Sequence, residues 1–338
     1  LSRWDYDLRT SNAQANIDRP INRVKAEQRN VGVYVRDQIQ LNPALSVNLG
    51  ARTEWFRINA QDNYDATAPG AFFGSEAPDA QQREREYAWE IGTRYRVAPS
   101  HLLYAKAGRS FRFATVDEIY EFSPVFSREF QFLKPQIAQD AELGWEIGGP
   151  QRGGRAALYY AKVRDEIHLD PSSDGIGNTN LPPLQRYGLE LEGRTQWGPV
   201  TLASAYTLAY ARFTGGVYND ENLDGKNVPL VPRHKLAVNL TWKLSAATRL
   251  LASTNYYSSQ YLDNDEANTL GVKIPAYTVS DLKLDHQIGN WTLAVAVNNV
   301  FDEEYYTYGV RSSFTPDRYA AYPLPGRSGW VSAEYKFK

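Results

Sequence analysis

Along the stretch RYGLELEGRTQW, residues 186–197, Tyr187, Leu189, Leu191, Thr195 and Trp197 share one parity, while Arg186, Glu190, Glu192, Arg194 and Gln196 share the other. Side chains alternate across a β-strand, so a run of this kind has one greasy face and one wet face. The pattern recurs. Leu45, Val47, Leu49, Ala51 and Trp55 alternate with Ser46, Asn48, Gly50, Arg52 and Glu54. Tyr87, Trp89, Ile91, Tyr95 and Val97 alternate with Glu86, Glu90, Arg94 and Arg96, and Ala141, Leu143, Trp145 and Ile147 with Glu142, Gly144 and Glu146. Leu236, Val238, Leu240 and Trp242 repeat it against Lys235, Asn239 and Thr241, as do Val331, Ala333, Tyr335 and Phe337 against Ser332, Glu334 and Lys336.

Read with their breakers, these runs predict about 14 strands: 1–10, 28–41, 45–58, 84–97, 101–113, 137–149, 154–169, 185–197, 199–213, 232–243, 247–261, 275–288, 291–305 and 327–338. Most reach the roughly 9–11 residues that a tilted strand needs to cross a bilayer. The connections alternate in length. Short turns follow residues 41, 97, 149, 197, 243 and 288, and long polar loops occupy 59–83, 114–136, 170–184, 214–231, 262–274 and 306–326. Outer-membrane barrels place tight turns on the periplasmic side and extended loops outside, and closure satisfies every backbone group in lipid. The expected fold class is therefore all-β, an antiparallel transmembrane β-barrel, with the greasy parity facing lipid and the charged parity lining the lumen. A soluble sandwich or lipocalin-like barrel would turn its apolar parity to a core, and nothing in that architecture sorts short turns to one end.

Composition agrees with this reading. The 338 residues include 23 Tyr, 8 Trp and 13 Phe, and the mean hydropathy of -0.53 comes without any apolar run near the ~20 residues of a membrane helix. Trp55, Trp145, Trp197, Phe213, Trp242, Tyr256 and Tyr305 fall near strand ends, where interfacial girdles are expected. Cysteine is absent, so disulfides and thiolate sites are excluded. The net charge of -2, with no basic block, gives no reason to expect a nucleic-acid partner.

Several segments carry a family resemblance. In chain order these are the pair GRSFRFATVDEIY (108–120) and LKPQIAQDAELGWEIG (133–148), then NDENLDGKNVPLVPRHK (219–235), NNVFDEEYYTYG (298–309) and the closing GRSGWVSAEYKF (326–337). Together the sequence resembles the carboxy-terminal part of a TonB-dependent outer-membrane transporter over its whole length, 1–338. Two positions depart from the family pattern: Thr115 stands where a proline is expected, and Lys338 where a terminal aromatic is expected. The resemblance implies a 22-stranded barrel around an amino-terminal plug, so the plug and the early strands are expected to lie outside this stretch. It also implies a TonB partner engaged through the plug region, contact with outer-membrane lipid and lipopolysaccharide, and a monomeric barrel.

No enzyme active site is expected. His101, His168, His234 and His286 lie on different predicted strands without metal-ligand spacing, and no phosphate loop or nucleophile elbow is present. No resident cofactor is expected. Asp220, Asn222, Asp224 and Gly225 match the first half of a calcium loop, but the twelfth position is Val231 in place of a bidentate Glu, so a solvated turn is the preferred reading. Haem receptors of this family use a histidine between the paired segments, and 114–136 contains none.

A ligand arriving from outside meets the outer loops and the upper lumen. The candidate ligand contacts are Arg112, Phe122, Phe126, Arg128, Phe130, Tyr218, Tyr308, Arg311, Phe314 and Arg318, with Phe72, Phe73, Phe132, Tyr319 and Tyr322 as further aromatics. The arginines suit an anionic chelate through charge-assisted hydrogen bonds. Arg109 breaks the apolar parity of Leu103, Ala105, Ala107, Phe111 and Phe113, which calls for a bulge or a snorkelling side chain. The expected function is active uptake of a large scarce ligand, foremost a ferric siderophore. The alternatives are a receptor for cobalamin or another ligand, a passive 14-stranded porin, and a loop-bearing adhesin or phage receptor.

Overall fold

The computed structural model describes every residue except 72–74, 120–129, 150, 171–176, 314, 316 and 338. Fourteen strands form one sheet in which each is hydrogen-bonded to the next in chain order. They are β1 (Ser2–Thr10), β2 (Asn22–Asn42), β3 (Leu45–Tyr64), β4 (Ala80–Ala98), β5 (His101–Arg112), β6 (Gln136–Gly148) and β7 (Arg152–Arg164). The second half comprises β8 (Leu184–Trp197), β9 (Val200–Phe213), β10 (His234–Lys243), β11 (Thr248–Tyr257), β12 (Tyr277–Ile288), β13 (Trp291–Asn298) and β14 (Ser328–Tyr335). Every predicted strand has its counterpart. β1 and β14 are the two edges and do not pair with each other.

Register places the apolar parities side by side. Leu143 pairs with Leu158, Leu158 with Leu189, and Leu189 with Leu208. Leu202 pairs with Leu240, Leu250 with Leu284, and Leu284 with Val295. This face is outward. Leu143 and Leu158 are each 58% exposed although they sit in mid-sheet, and Val33, Ile91, Leu191 and Val295 are also exposed. In water such a patch would be costly, whereas against acyl chains it is the favoured surface. The tryptophans Trp145, Trp197, Trp242 and Trp291 sit near the short turns, all exposed on that face. Toward the long loops the outward face carries the stacked pair Tyr187–Tyr210 at 5.1 Å.

The opposite face is charged and paired. Glu142 accepts from Tyr104 at 2.5 Å and from Arg155 at 2.7 Å, and Lys106 lies 2.8 Å from it. Arg155 reaches Glu190 at 3.1 Å and Glu192 at 3.2 Å, which joins β5, β6, β7 and β8 across the lumen wall. Gly144 makes room here: a Cβ at that position would overlap the Tyr104 ring that leans across it and force the ring aside. Arg36–Glu90 at 3.4 Å and Arg94–Glu146 at 3.3 Å are more exposed, and such pairs contribute only about 0–1 kcal/mol each. Most of the barrel's stability therefore rests on the ladder and on lipid contact.

The short turns are stitched to their neighbours. The Arg96 N–H donates to the Ala44 carbonyl at 2.7 Å, Gly148 N–H to Ser100 at 2.8 Å, and Lys243 N–H to Pro199 at 2.9 Å. Gly198, at φ 54°, supplies the left-handed position of the two-residue turn between Trp197 and Val200.

Four expectations are corrected. β2, β3 and β4 extend several residues past their predicted outer ends and, with β1 paired along β2 at residues 22–30, form a raised wall. The runs predicted as 154–169, 247–261 and 291–305 end early, at Arg164, Tyr257 and Asn298. Left-handed residues follow two of these ends, Asp165 at φ 55° and Asn299 at φ 51°. Phe213 is no girdle residue: it lies on the lumen parity and is 1% exposed, packed with Leu184, Leu181, Ala211 and Leu223. Arg109 sits at a fork and not at a bulge. The β4–β5 ladder stops at Trp89↔Arg109, beyond which β4 stays with β3 and β5 with β6. The Arg109 guanidinium fills the gap, donating to the Tyr87 carbonyl that the fork leaves free and to Glu86 at 2.7 Å, 3.9 Å from the Tyr87 ring centre.

Candidate functional site

The two largest apolar clusters that the long loops form lie at the outer end of the barrel. The first joins Ala26, Phe56, Ile58 and Ala60 on the raised strands to Ala114, Val116, Ile119 and Leu133 of the loop after β5. Phe56 and Phe113 stack at 4.6 Å within it. The second joins Val163, Leu184, Ala211 and Phe213 at strand tops to Leu181, Leu223, Val228 and Ala267 of three loops. Each fully buried side chain of this size contributes about 1.5–3 kcal/mol, enough to hold the loops in fixed positions.

Between the loops of the second cluster lies a polar assembly. After β7 the chain forms a hairpin, Glu166–Asp170 with Gly177–Leu181, which carries His168. After β11 it forms a second, Gln260–Tyr261 with Lys273–Ile274, whose tip is the acidic run Asp263–Asn268. A third hairpin, Tyr306–Arg311 with Tyr319–Pro323, stands beside it. The Asp263 N–H donates to the Gly309 carbonyl at 2.9 Å and the Arg311 N–H to the Asp263 carbonyl at 2.8 Å, so the second and third hairpins form one continuous edge.

The carboxylates of the acidic run are individually constrained. Asp265 is fully buried; its Oδ1 accepts from the N–H groups of Thr269 at 2.9 Å and Leu270 at 3.1 Å and faces Arg311 Nη1 at 3.3 Å. Burial nevertheless raises its carboxyl above the usual range, against those donors and Arg311. Glu266 Oε1 lies 3.3 Å from His168 Nε2. Tyr308 donates to Asp263 Oδ2 at 2.7 Å and leans against Tyr322, 5.4 Å between ring centres. Tyr218 meets the His168 ring edge-on at 6.5 Å. Its hydroxyl is pushed well above the ordinary tyrosine range, first by burial and then by the Glu266 and Asp170 charges. Burial pulls the His168 imidazole toward neutrality, yet Glu266, Asp263 and Asp170 outweigh it and raise its affinity for a proton. A cleft of about 260 Å³ opens on this assembly, lined by Tyr218, Asn264, Glu266, Thr269 and Arg311 among others.

The predicted contacts divide accordingly. Tyr218 and Arg311 come together at the cleft, and Tyr308 is held against the acidic run by its bond to Asp263. Arg112 lies apart, its Nη1 bonded to both oxygens of Glu118 at 2.8 and 2.7 Å, which in turn caps the Thr115 N–H. Phe130 packs against the first cluster and against Val24 and Ala77, and Phe132 also joins the first cluster. Arg318 is exposed at the third hairpin beside Tyr319, with no ion pair among the described residues. Phe122, Phe126, Arg128 and Phe314, with Phe72 and Phe73, lie outside the described residues. The segment carrying Asp220 and Asp224 is a tight two-residue ladder in which Asn222 Oδ1 accepts the Asp224 N–H at 3.0 Å. Three histidines are strand residues as expected. His101 stacks on Trp145, His234 bonds Tyr206 at 2.8 Å, and His286 bonds Thr248 at 2.8 Å. His168 is the exception, because the turn at Asp165 lifts it off the barrel.

Residues 2–300 match the family described as TonB dependent receptor-like, beta-barrel. The chain belongs to that family. It is an integral β-barrel of the bacterial outer membrane, as the lipid-facing belt requires. Among curated relatives, the chain is 27% identical to the metal-pseudopaline receptor CntO of Pseudomonas aeruginosa over 284 residues, which cover 82% of this chain and 37% of that protein. It is 23% identical to the ferrichrome outer membrane transporter/phage receptor of Escherichia coli, covering 84% and 36% respectively. These 338 residues thus correspond to well under half the length of either receptor. Among solved structures, the ferric yersiniabactin uptake receptor FyuA of Yersinia pestis superposes with a TM-score of 0.76 at 16% identity, covering 94% of this chain and 47% of that one. At that identity the likeness speaks for the fold alone.

Proposed function

We propose that these residues form barrel wall and outer loops of a TonB-dependent transporter that takes up a metal chelate, foremost a ferric siderophore. Membership of the receptor family over residues 2–300 is the observation that carries this reading. The relatives named for metal-pseudopaline and ferrichrome support a metal chelate as cargo. The outer face suits such a cargo chemically: Arg318 offers an exposed guanidinium next to Tyr319 with no ion pair among the described residues, and Tyr218 and Arg311 line the neighbouring cleft. Exposed aromatic and cationic groups together recognise large anionic chelates by stacking and charge-assisted hydrogen bonds. Uptake involves selective binding without covalent chemistry, with energy delivered through TonB.

A passive pore has less support, because β1 and β14 remain unpaired edges and a closed 14-stranded pore requires them to pair. The deciding experiment measures accumulation of radiolabelled ferric siderophores by iron-starved cells that carry or lack the full-length gene, each with and without functional TonB. Accumulation that needs both the gene and TonB is the expected result. Flux that persists without TonB, or no accumulation of any metal chelate, would overturn the reading.

A further inference from the structure

The polar assembly at the second cluster contains a donor set that the uptake reading leaves unused. His168, Asp263 and Glu266 each offer a ligand atom, and the three atoms lie within 4.8 Å of one another. They come from hairpins that follow different barrel strands, β7 and β11. His168 Nε2 is buried and, although 3.3 Å from Glu266 Oε1, makes no well-aligned hydrogen bond among the described residues; the Oδ2 atom of the fully buried Asp265 likewise lacks one there. Glu266 is itself 5% exposed. Charge is also out of balance. Among the described residues Arg311 answers Asp265, which leaves the carboxylates of Asp263 and Glu266 facing the His168 imidazole. Buried carboxylates in such a surplus are costly unless a cation joins them.

We propose that His168, Asp263 and Glu266 bind a divalent transition-metal ion, one per chain, directly through the protein and separately from any chelated cargo. One imidazole nitrogen with two carboxylate oxygens suits zinc, nickel or cobalt, whereas calcium and magnesium prefer all-oxygen shells. Ligand atoms around a tetrahedral zinc stand about 3.4 Å apart when bonds are about 2.1 Å, so small side-chain rotations close the present set. The scaffold for those rotations is already rigid. Tyr308 orients Asp263, the Asp265 carboxylate ties down the 265–270 turn, and the Asn268 amide donates to the carbonyls of Asn227 at 2.9 Å and Asp265 at 3.0 Å. Such outer partners hold first ligands in place. Glu266 also borders the cleft, so a fourth coordination position opens toward it for water or an incoming ligand atom. The ion would staple the hairpin carrying His168 to the acidic one.

The test uses the full-length protein purified in detergent and titrated calorimetrically with zinc, nickel and cobalt salts alone. Saturable binding of one ion is expected, together with a cobalt absorption spectrum of low-symmetry nitrogen–oxygen ligation. His168→Ala and Glu266→Gln should weaken binding by at least about 100-fold, because outer-shell partners alone govern about 10- to 100-fold. Tyr308→Phe, which keeps all three ligands, should weaken it by about tenfold. His286→Ala, a histidine outside the cluster, should leave it unchanged, and the heat-modifiable gel shift of folded barrels checks each variant. Absence of one-to-one binding by the folded protein would overturn the site, as would affinity that survives His168→Ala. Failure of chelate uptake would leave it standing, since the titration contains no chelate.

Discussion

The belt in the membrane and the loop assembly above it obey opposite rules on the same strands. Along β3, Ala51 and Trp55 face outward and Arg52 and Glu54 inward; two residues further up, the inward parity becomes Phe56, Ile58 and Ala60, all buried. β9 repeats this change, from Ala203 and Ala205 on the lumen side to Ala211 and Phe213 in a closed core. The backbone period is 2 throughout, and only the solvent differs. In lipid the apolar parity is the surface, and above the membrane the apolar groups must find one another.

Breaking the loop core should have the largest effect. Phe213→Ala removes a fully buried ring, and a loss of about 3–5 kcal/mol is expected in the local stability of the outer assembly. Hydrogen exchange should show it at 181–184 and 223–228 while the belt amides stay protected. Leu143→Arg attacks the belt instead. A charge near the bilayer midplane costs about 2–4 kcal/mol, readable as lower barrel stability in denaturant titrations on lipid vesicles. Arg109→Met probes the fork between β4 and β5, since it strands the Tyr87 carbonyl and Glu86. A cost of about 1–3 kcal/mol is expected by the same titration. Glu90→Gln on the lumen face should change stability by less than about 1 kcal/mol, because its pair with Arg36 is exposed. A large loss there, or a negligible one for Leu143→Arg, would invert the two regions.

The belt was legible because one face of each strand meets a uniform solvent, so fourteen runs of alternation correspond to fourteen paired strands. The outer ends were not, because β2, β3 and β4 continue with the same period after their environment changes. Phe213 looked interfacial from its place at a strand end, although it shares the inward parity of Ala203, Ala205 and Ala211. Of the candidate contacts, Tyr218 and Arg311 meet at one cleft and Tyr308 bonds the acidic run, while Arg112 and Phe130 serve Glu118 and the first cluster. His168 was hidden inside an apparently unbroken strand pattern. The left-handed Asp165 that frees it carries no mark beyond being an aspartate, one of the residues that tolerate that conformation. Its partners did leave a signal, the dense acidic run DNDEAN at 263–268, which a long outer loop has little reason to bury.

The alternation itself is most directly tested on β8. With no cysteine in the 338 residues, single-cysteine variants at 186–197 can carry spin labels without competing sites in this region. In outer-membrane vesicles, collision with oxygen, which concentrates in lipid, should be high at 187, 189, 191, 195 and 197 and low at 186, 190, 192, 194 and 196. Uniform collision rates, or the reverse phase, would contradict a strand whose greasy face meets lipid and whose charged face lines the lumen.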